Sequence, residues 1–300
     1  MGGRLEMKDI LKLDKVGKRY ATSNFEIKDI SFSLPEGNIL GFIGENGAGK
    51  TTTINCILNT IEKDSGTIKI FGREMSDEDT DIREHIGVVY DGNNFPEYLT
   101  ATQLASILEK IYKNWDSLIY KGYMNRFNLP ESQKIKTYSR GMGMKLAMAV
   151  ALSHKPKLLL LDEATSGLDP IMRDEILDVL LEFVKEEDHS ILLSSHITSD
   201  LEKIADYIVF IHQGRIILHK TKDELIYDYA VMRCSQKDFK NIATEDMIAY
   251  REKAHQIDVL VSDKNKMCRK YKNIIIDNTS LDEIMLLLVK GKNHAWSNQE

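Results

Sequence analysis

The chain has 300 residues, 42% hydrophobic and 29% charged, with 40 Lys and Arg against 46 Asp and Glu for a net charge of −6. This is the make-up of a folded, soluble globular protein with room for one large domain, or one domain and a small appendage. The acidic balance argues against a non-specific nucleic-acid binder, which needs a basic surface, and no run reaches the roughly 18 apolar residues of a membrane helix. Cys56, Cys234 and Cys268 are far apart and form no CxxC pair. They predict neither a disulfide framework nor a zinc site, and a reducing, cytoplasmic compartment. The start "MGGRLE" has Glu6 where a myristoylation signal needs Ser or Thr.

In chain order, "EIKDISFSLPEGNILGFIG" alternates apolar and polar residues, turns at Pro35-Glu36-Gly37, then becomes continuously apolar, which predicts two strands. The next residues, "GENGAGKT" from Gly44 to Thr51, match GxxxxGK[ST] between that apolar strand and the helical stretch "TTINCILNTI". Glycines let such a loop curl its N–H groups inward as an anion nest, and the following helix adds the positive end of its dipole. Lys50 is placed to reach β- and γ-phosphates and the Thr51 hydroxyl to bind Mg²⁺. "SGTIKIFG" predicts a short strand, and the acidic "REMSDEDTDIREH" a solvated loop and helix start rather than a metal site. Residues 97–128 have helical spacing, with Leu99, Leu104, Ile107, Leu108, Ile111 and Tyr112 on one face, until Pro130.

"YSRGMGMKLAMAV" opens a buried helix with two glycines and an arginine. From about 157 strands and helices alternate: the strand "KLLLLDEA", the helix "PIMRDEILDVLLEFVKEE", the strand "SILLSSH", the helix "ITSDLEKIAD" and the hairpin "YIVFIHQGRIILHK" turning at Gln213-Gly214. This grammar predicts a mostly parallel sheet. Asp162 and Glu163 emerge together from an apolar strand, where unpaired carboxylates are costly unless used. Beside a phosphate loop, Asp162 suits Mg²⁺ and Glu163 suits a general base polarising water. Beyond 221–228 short strands ("AVMRCS", "IDVLVS", "NIIID") mix with helices, ending on "TSLDEIMLLLVKG" with a Ser280/Glu283 capping pattern and Gly291 as its stop.

"GENGAGKTT", "YSRGM", "LLLLDEATSGLD" and "SSH" stand in the order found in ATP-binding cassette (ABC) ATPases, which the chain resembles over about residues 5–225. The details are most similar to ATPase subunits of bacterial ABC-2-type exporters. The resemblance implies an α/β P-loop NTPase: a RecA-like, mostly parallel sheet, an N-terminal antiparallel β subdomain, an α-helical subdomain at about 92–150, and a small C-terminal α+β extension at 226–300. It also implies ATP and Mg²⁺ as cofactors. Tyr20 matches the aromatic that stacks on adenine. Gly44, Asn46, Gly47, Ala48, Gly49, Lys50, Thr51 and Thr52 form the phosphate and Mg²⁺ site, and Asp162 and Glu163 keep the roles above. Ser166, Gly167, Leu168 and Asp169 match a loop that communicates across a dimer, and His196 the histidine that contacts the γ-phosphate.

Tyr138 to Met142 match the signature usually written LSGGQ. Ser139 and Gly141 are retained, whereas Tyr138, Arg140 and Met142 depart from Leu, Gly and Gln. The signature closes on ATP held by a second subunit. Whether Arg140 points at phosphate or solvent is open in the sequence. Asp91, in "IGVVYDGNNF", stands where the family has a glutamine that binds Mg²⁺ and links the site to the permease; a carboxylate also ligates Mg²⁺, so coordination by Asp91 is expected. The implied partners are a second ABC ATPase, as homodimer or heterodimer on ATP binding, and an integral membrane permease, which would hold the chain peripherally at the inner face of the membrane. No nucleic acid is expected. The competing readings are a permease-free ABC ATPase acting on ribosome or DNA, and a non-hydrolysing nucleotide-dependent regulator.

Overall fold

The computed structural model describes residues 8–21, 25–76, 78–92 and 94–293. The chain divides into two compact units, Met1–His219 and Lys220–Glu300, the division falling two residues before the end of the last strand of the first sheet. The boundary expected near 225 falls inside the second unit, in a π-helical turn, Glu224–Asp228.

The first unit runs β1 (Asp9–Arg19), β2 (Glu26–Pro35), β3 (Ile39–Ile43), α1 (Lys50–Ile57), β4 (Ser65–Ile70), β5 (Arg73–Glu74), α2 (Thr80–Glu84), β6 (Ile86–Tyr90), α3 (Ala101–Ile111), α4 (Ser117–Arg126), α5 (Arg140–Ser153), β7 (Leu158–Asp162), α6 (Pro170–Phe183), β8 (Ser190–Ser195), α7 (Thr198–Ile204), β9 (Tyr207–His212) and β10 (Arg215–Thr221). A six-stranded sheet has the order β10-β9-β3-β8-β7-β6, and its pairs β9/β3, β3/β8, β8/β7 and β7/β6 are parallel. Parallel strands covered on both faces need continuous apolar runs. Accordingly every residue of β3, β7 and β8 is buried. A four-stranded antiparallel sheet, β2-β1-β4-β5, carries the alternating pattern. The β9–β10 connection has Gln213 at φ 46° and Gly214 at φ 74°, two consecutive left-handed residues of the kind a tight hairpin requires. A Cβ on Gly214 would run into the Glu26 carbonyl oxygen, so only glycine fits there.

The periodicity over 97–128 resolves into two helices rather than one. Asp116 interrupts it by accepting from Leu118 N and Ile119 N at 2.9 and 3.2 Å, which caps α4. Thr100 and Gln103 form a complete capping box on α3. The apolar face of α3 is not fully used: it buries Ala101 and Leu104 but leaves Ile107 45% and Ile111 62% exposed.

His154, at the end of α5, is buried, stacks on Tyr112 at 4.2 Å and meets the Ile86 carbonyl through Nε2 at 3.1 Å. Burial pushes its pKa below the ordinary histidine value. Between the folded and unfolded values the unfolded chain therefore binds more protons, and stability rises with pH. The contribution is complete above the unfolded value near 6.5 and is lost as pH falls through the lower folded value. The urea midpoint is expected to drop as pH falls below about 6.5, and His154→Gln to flatten that slope; an unchanged slope would exclude this histidine as its source.

The second unit contains β11 (Ala230–Cys234), α8 (Gln236–Phe239), β12 (Ala249–Glu252), β13 (Ile257–Val261), α9 (Lys264–Lys270), β14 (Ile275–Asn278), α10 (Leu281–Lys290) and β15 (Lys292–Asn293). Its sheet, β14-β11-β13-β12-β15, is antiparallel throughout. Ala230, Met232, Val259, Val261 and Met267 lie in its apolar core. Arg233 ties four elements together through Asp258, Asp277 and Glu283 at 3.5, 2.7 and 3.0 Å. Ser280 caps α10 by accepting from Glu283 N at 3.2 Å, while the Glu283 carboxylate takes the Arg233 contact. Gly291 follows α10 in an extended rather than left-handed conformation. Among the described residues no helix is long and apolar enough to cross a membrane, and the three cysteines are free.

Candidate nucleotide site

The phosphate loop leaves the end of β3 and enters α1. Gly47 and Gly49 have φ of 80° and 116°, the left-handed excursions that let successive N–H groups converge. Gly44 must lack a Cβ, which would lie 2.6 Å from the Ile211 carbonyl oxygen of β9. The hairpin braces the loop, since Gly214 N donates to Ala48 O at 2.9 Å. Lys50, only 5% exposed, folds back over the loop. Its ammonium donates to Gly44 O at 2.7 Å and Glu45 O at 3.2 Å, and pairs with Glu163 Oε1 at 3.0 Å.

The second side of the site is the end of β7. Parallel register sets Asp162 opposite Tyr90 on β6 and Ser194 on β8. Asp162 Oδ2 accepts from Thr51 Oγ1 at 2.7 Å, and Oδ1 accepts from Ser194 Oγ at 2.5 Å. Among the described residues no cationic side chain pairs with this buried carboxylate. A charged carboxylate without a cation is costly, and a hydroxyl oxygen beside carboxylate oxygens is a donor set that a hard cation such as Mg²⁺ fits.

Glu163 follows in the left-handed region, at φ 56°. That conformation is uncommon for a residue with a Cβ and tends to occur at functional sites. It is held by Glu163 N donating to Ser194 Oγ at 3.1 Å. The carboxylate then lies between two groups, with Lys50 on Oε1 and His196 Nδ1 at 2.5 Å from Oε2. Ser194 was not among the residues the sequence singled out. Its signal is the polar "SS" closing an apolar strand, which acquires meaning only once β8 is known to lie beside β7.

The other expected residues are distributed as follows. Tyr20, half-buried just past β1, has its hydroxyl 3.5 Å from Thr52 Oγ1. Asn46 and Ala48 lie within the loop. Ser139 is the N-cap of α5 and accepts from Met142 N at 3.2 Å. Gly141 is buried, and a Cβ there would collide with the Met172 thioether. The Met172 side chain of α6 thus fills the space beside this glycine and would have to shift for a larger residue. Asp169 caps α6 through Ile171 N and Met172 N at 3.1 and 3.0 Å, ahead of Pro170 at the first helical position.

Asp91, expected at Mg²⁺, has a protein partner of its own. It is not joined to Thr51 or Asp162; instead its Oδ1 accepts from Arg140 Nη2 at 2.6 Å. The physical reason is charge: a guanidinium within reach is a better partner for an exposed carboxylate than a hydroxyl cluster already satisfied by Asp162. In the single subunit, Arg140 accordingly faces Asp91. Its guanidinium also lies against Gly167, at φ 69°, where a Cβ would be 2.6 Å from Nη1.

A family model described as "ABC transporter" matches residues 27–166. The chain is 32% identical over 223 residues to the ABC transporter ATP-binding protein YtrB of Bacillus subtilis, covering 74% of this chain and 76% of that protein. It is 34% identical over 216 residues to the lantibiotic transport ATP-binding protein SrtF of Streptococcus pyogenes, covering 71% and 92% respectively. A solved structure described as an ATP-binding subunit of an ABC transporter aligns with a TM-score of 0.65 at 27% identity, over 72% of this chain and 91% of that one. The chain therefore belongs to the ABC transporter family, among its ATP-binding, ATP-hydrolysing subunits.

Proposed function

We propose that this chain binds Mg²⁺-ATP, closes on a second ATPase subunit (a copy of itself or a related chain), and drives a separate membrane permease that exports its substrate. The observation that carries the reading is one linked cluster: Thr51 on Asp162, and Lys50 on Glu163 on His196. The Ser139 end of α5 makes no bond to that cluster among the described residues, which supports its serving a partner's nucleotide instead. Export is supported by SrtF, a lantibiotic transport protein.

In the proposed mechanism the loop N–H groups and Lys50 hold the β- and γ-phosphates, and Tyr20 lies against the base. Thr51 and Asp162 would hold Mg²⁺, which would supply charge neutralisation when bound. Glu163 accepts a proton from the attacking water as the bond to the γ-phosphorus forms and the β–γ bridging bond breaks, giving ADP and phosphate. His196, bonded to Glu163, fixes the orientation of that carboxylate. Closure against a second subunit excludes water and adds Ser139 to the phosphate, so hydrolysis and separation of the subunits are tied.

The groove beside α3 is the proposed docking place of the permease. A cavity of about 680 Å³ lies there, lined in part by Leu58, Ile86, Val88, Tyr90, Ile111 and Tyr112, with Arg83, Glu84 and Lys113 on its polar rim. The half-used apolar face of α3 and this charged rim suit a short amphipathic cytoplasmic helix of a permease, which would hold the chain at the inner membrane face. Ile111→Asp is expected to release the chain from membranes co-expressed with its permease while leaving ATP binding within about twofold, because a rim-to-core charge disrupts only the docked state. Retained membrane association in that variant would exclude the groove. The function itself is tested by Mg²⁺-dependent ATPase activity of the purified chain alone and with permease in vesicles; ATPase activity that no permease alters would overturn the transport reading.

A further inference from the structure

The two charged departures from the family pattern meet. Arg140 stands where the signature usually has glycine and Asp91 where a glutamine is usual, and they are joined at 2.6 Å. Each borders a rigid element: Asp91 comes directly after β6, and Arg140 is the first residue of α5, beside the Ser139 cap. The guanidinium also covers Gly167, two residues before the Asp169 cap of α6. One side chain thus spans the loop after β6, the start of the signature helix and the loop after the acid pair.

This contact is built to be exchanged. Arg140 and Asp91 are 48% and 46% exposed, so water and salt screen the pair and its strength is low. Arg140 gives Asp91 a single nitrogen, Nη2. By contrast, Arg126 engages Glu182 with both of its terminal nitrogens, in the forked geometry that makes such pairs strong. A triphosphate end carries more charge than one carboxylate and accepts a guanidinium through two oxygens.

We propose that Arg140 is a two-position switch: held by Asp91 in the separate subunit, and transferred to the phosphates of the partner's nucleotide in the ATP-closed dimer, leaving the Asp91 carboxylate free. The proposal rests on the composite site proposed above. Because a ligand shifts a two-state equilibrium only by its preference for one state, the Asp91 contact works against closure and sets how much ATP closure needs.

The test is ATP-driven dimerisation, followed by size-exclusion chromatography with light scattering, in the full chain carrying Glu163→Gln to suppress hydrolysis. In that background Asp91→Asn is expected to lower the half-maximal ATP concentration about two- to fivefold, the strength of an exposed pair. Arg140→Gln is expected to raise it about tenfold or more, the loss of a charge-assisted bond to phosphate. Asp91→Asn added to Arg140→Gln should then change nothing further. Arg140→Lys replaces Arg140→Gln if the latter does not fold, with a smaller rise expected because the fork is lost but the charge kept. An Asp91→Asn that has no effect, raises the ATP requirement, or lowers it equally without Arg140 overturns the switch while leaving the composite site standing. Absence of any ATP-dependent dimer in the Glu163→Gln chain itself would remove the composite site, and the switch with it.

Discussion

Glu163→Gln is expected to lower ATP turnover by about 10²- to 10⁴-fold, the range for losing a positioned general base, while ATP binding survives and a dimer accumulates. Glutamine keeps the shape and one acceptor oxygen but cannot take the proton of the attacking water. Its neighbours lose less: Thr51 remains on Asp162 and Lys50 keeps the Gly44 and Glu45 carbonyls. Single-turnover hydrolysis, with nucleotide binding measured in parallel, separates the outcomes. Turnover within tenfold of the unmodified chain would show that another group accepts the proton, and loss of binding would show that Glu163 shapes the pocket rather than the chemistry.

Lys50→Ala should act one step earlier. The buried ammonium is the one positive side chain placed on the loop among the residues of the cluster, and its removal leaves Glu163 Oε1 without that counter-charge. Truncating one member of a buried charge pair costs several kcal/mol. ATP affinity is accordingly expected to fall by about 10²-fold or more, with turnover falling alongside it. Calorimetric titration with ATP in Mg²⁺ buffer measures the effect. Unchanged affinity would mean that the loop N–H groups alone carry the phosphate grip.

How far the site is legible in sequence follows from how local its chemistry is. Gly44 to Thr51 are consecutive, and their spacing alone states a loop that wraps an anion and hands it to a helix. Asp162 and Glu163 are legible because four leucines precede them, so the strand and its edge are both declared. Ser194 is not, because its value lies in a register that pairs it with Asp162 across 32 residues. The Asp91–Arg140 contact spans 49 residues, and nothing near either residue names the other. In the helical region the apolar period runs through Tyr112 without marking the break, since the stop comes from the capping chemistry of Asp116. The two-residue β15 and the four-residue β12 escape because neither has the apolar run that declares the equally short β14. Glycines mislead in one respect: Gly141 reads as a ligand-facing position, yet its missing side chain also makes room for Met172.

The ion pair between Lys50 and Glu163 has a consequence for timing. While the pair lasts, the loop's strongest cation is already engaged by the protein's own carboxylate, and one oxygen of that carboxylate is itself occupied. A triphosphate arriving at Lys50 competes for the ammonium and, in winning it, sets Glu163 loose with only His196 to steer it. In the proposed mechanism, occupancy and reactivity are therefore linked by one displacement: Glu163 is released by the same event that delivers its target.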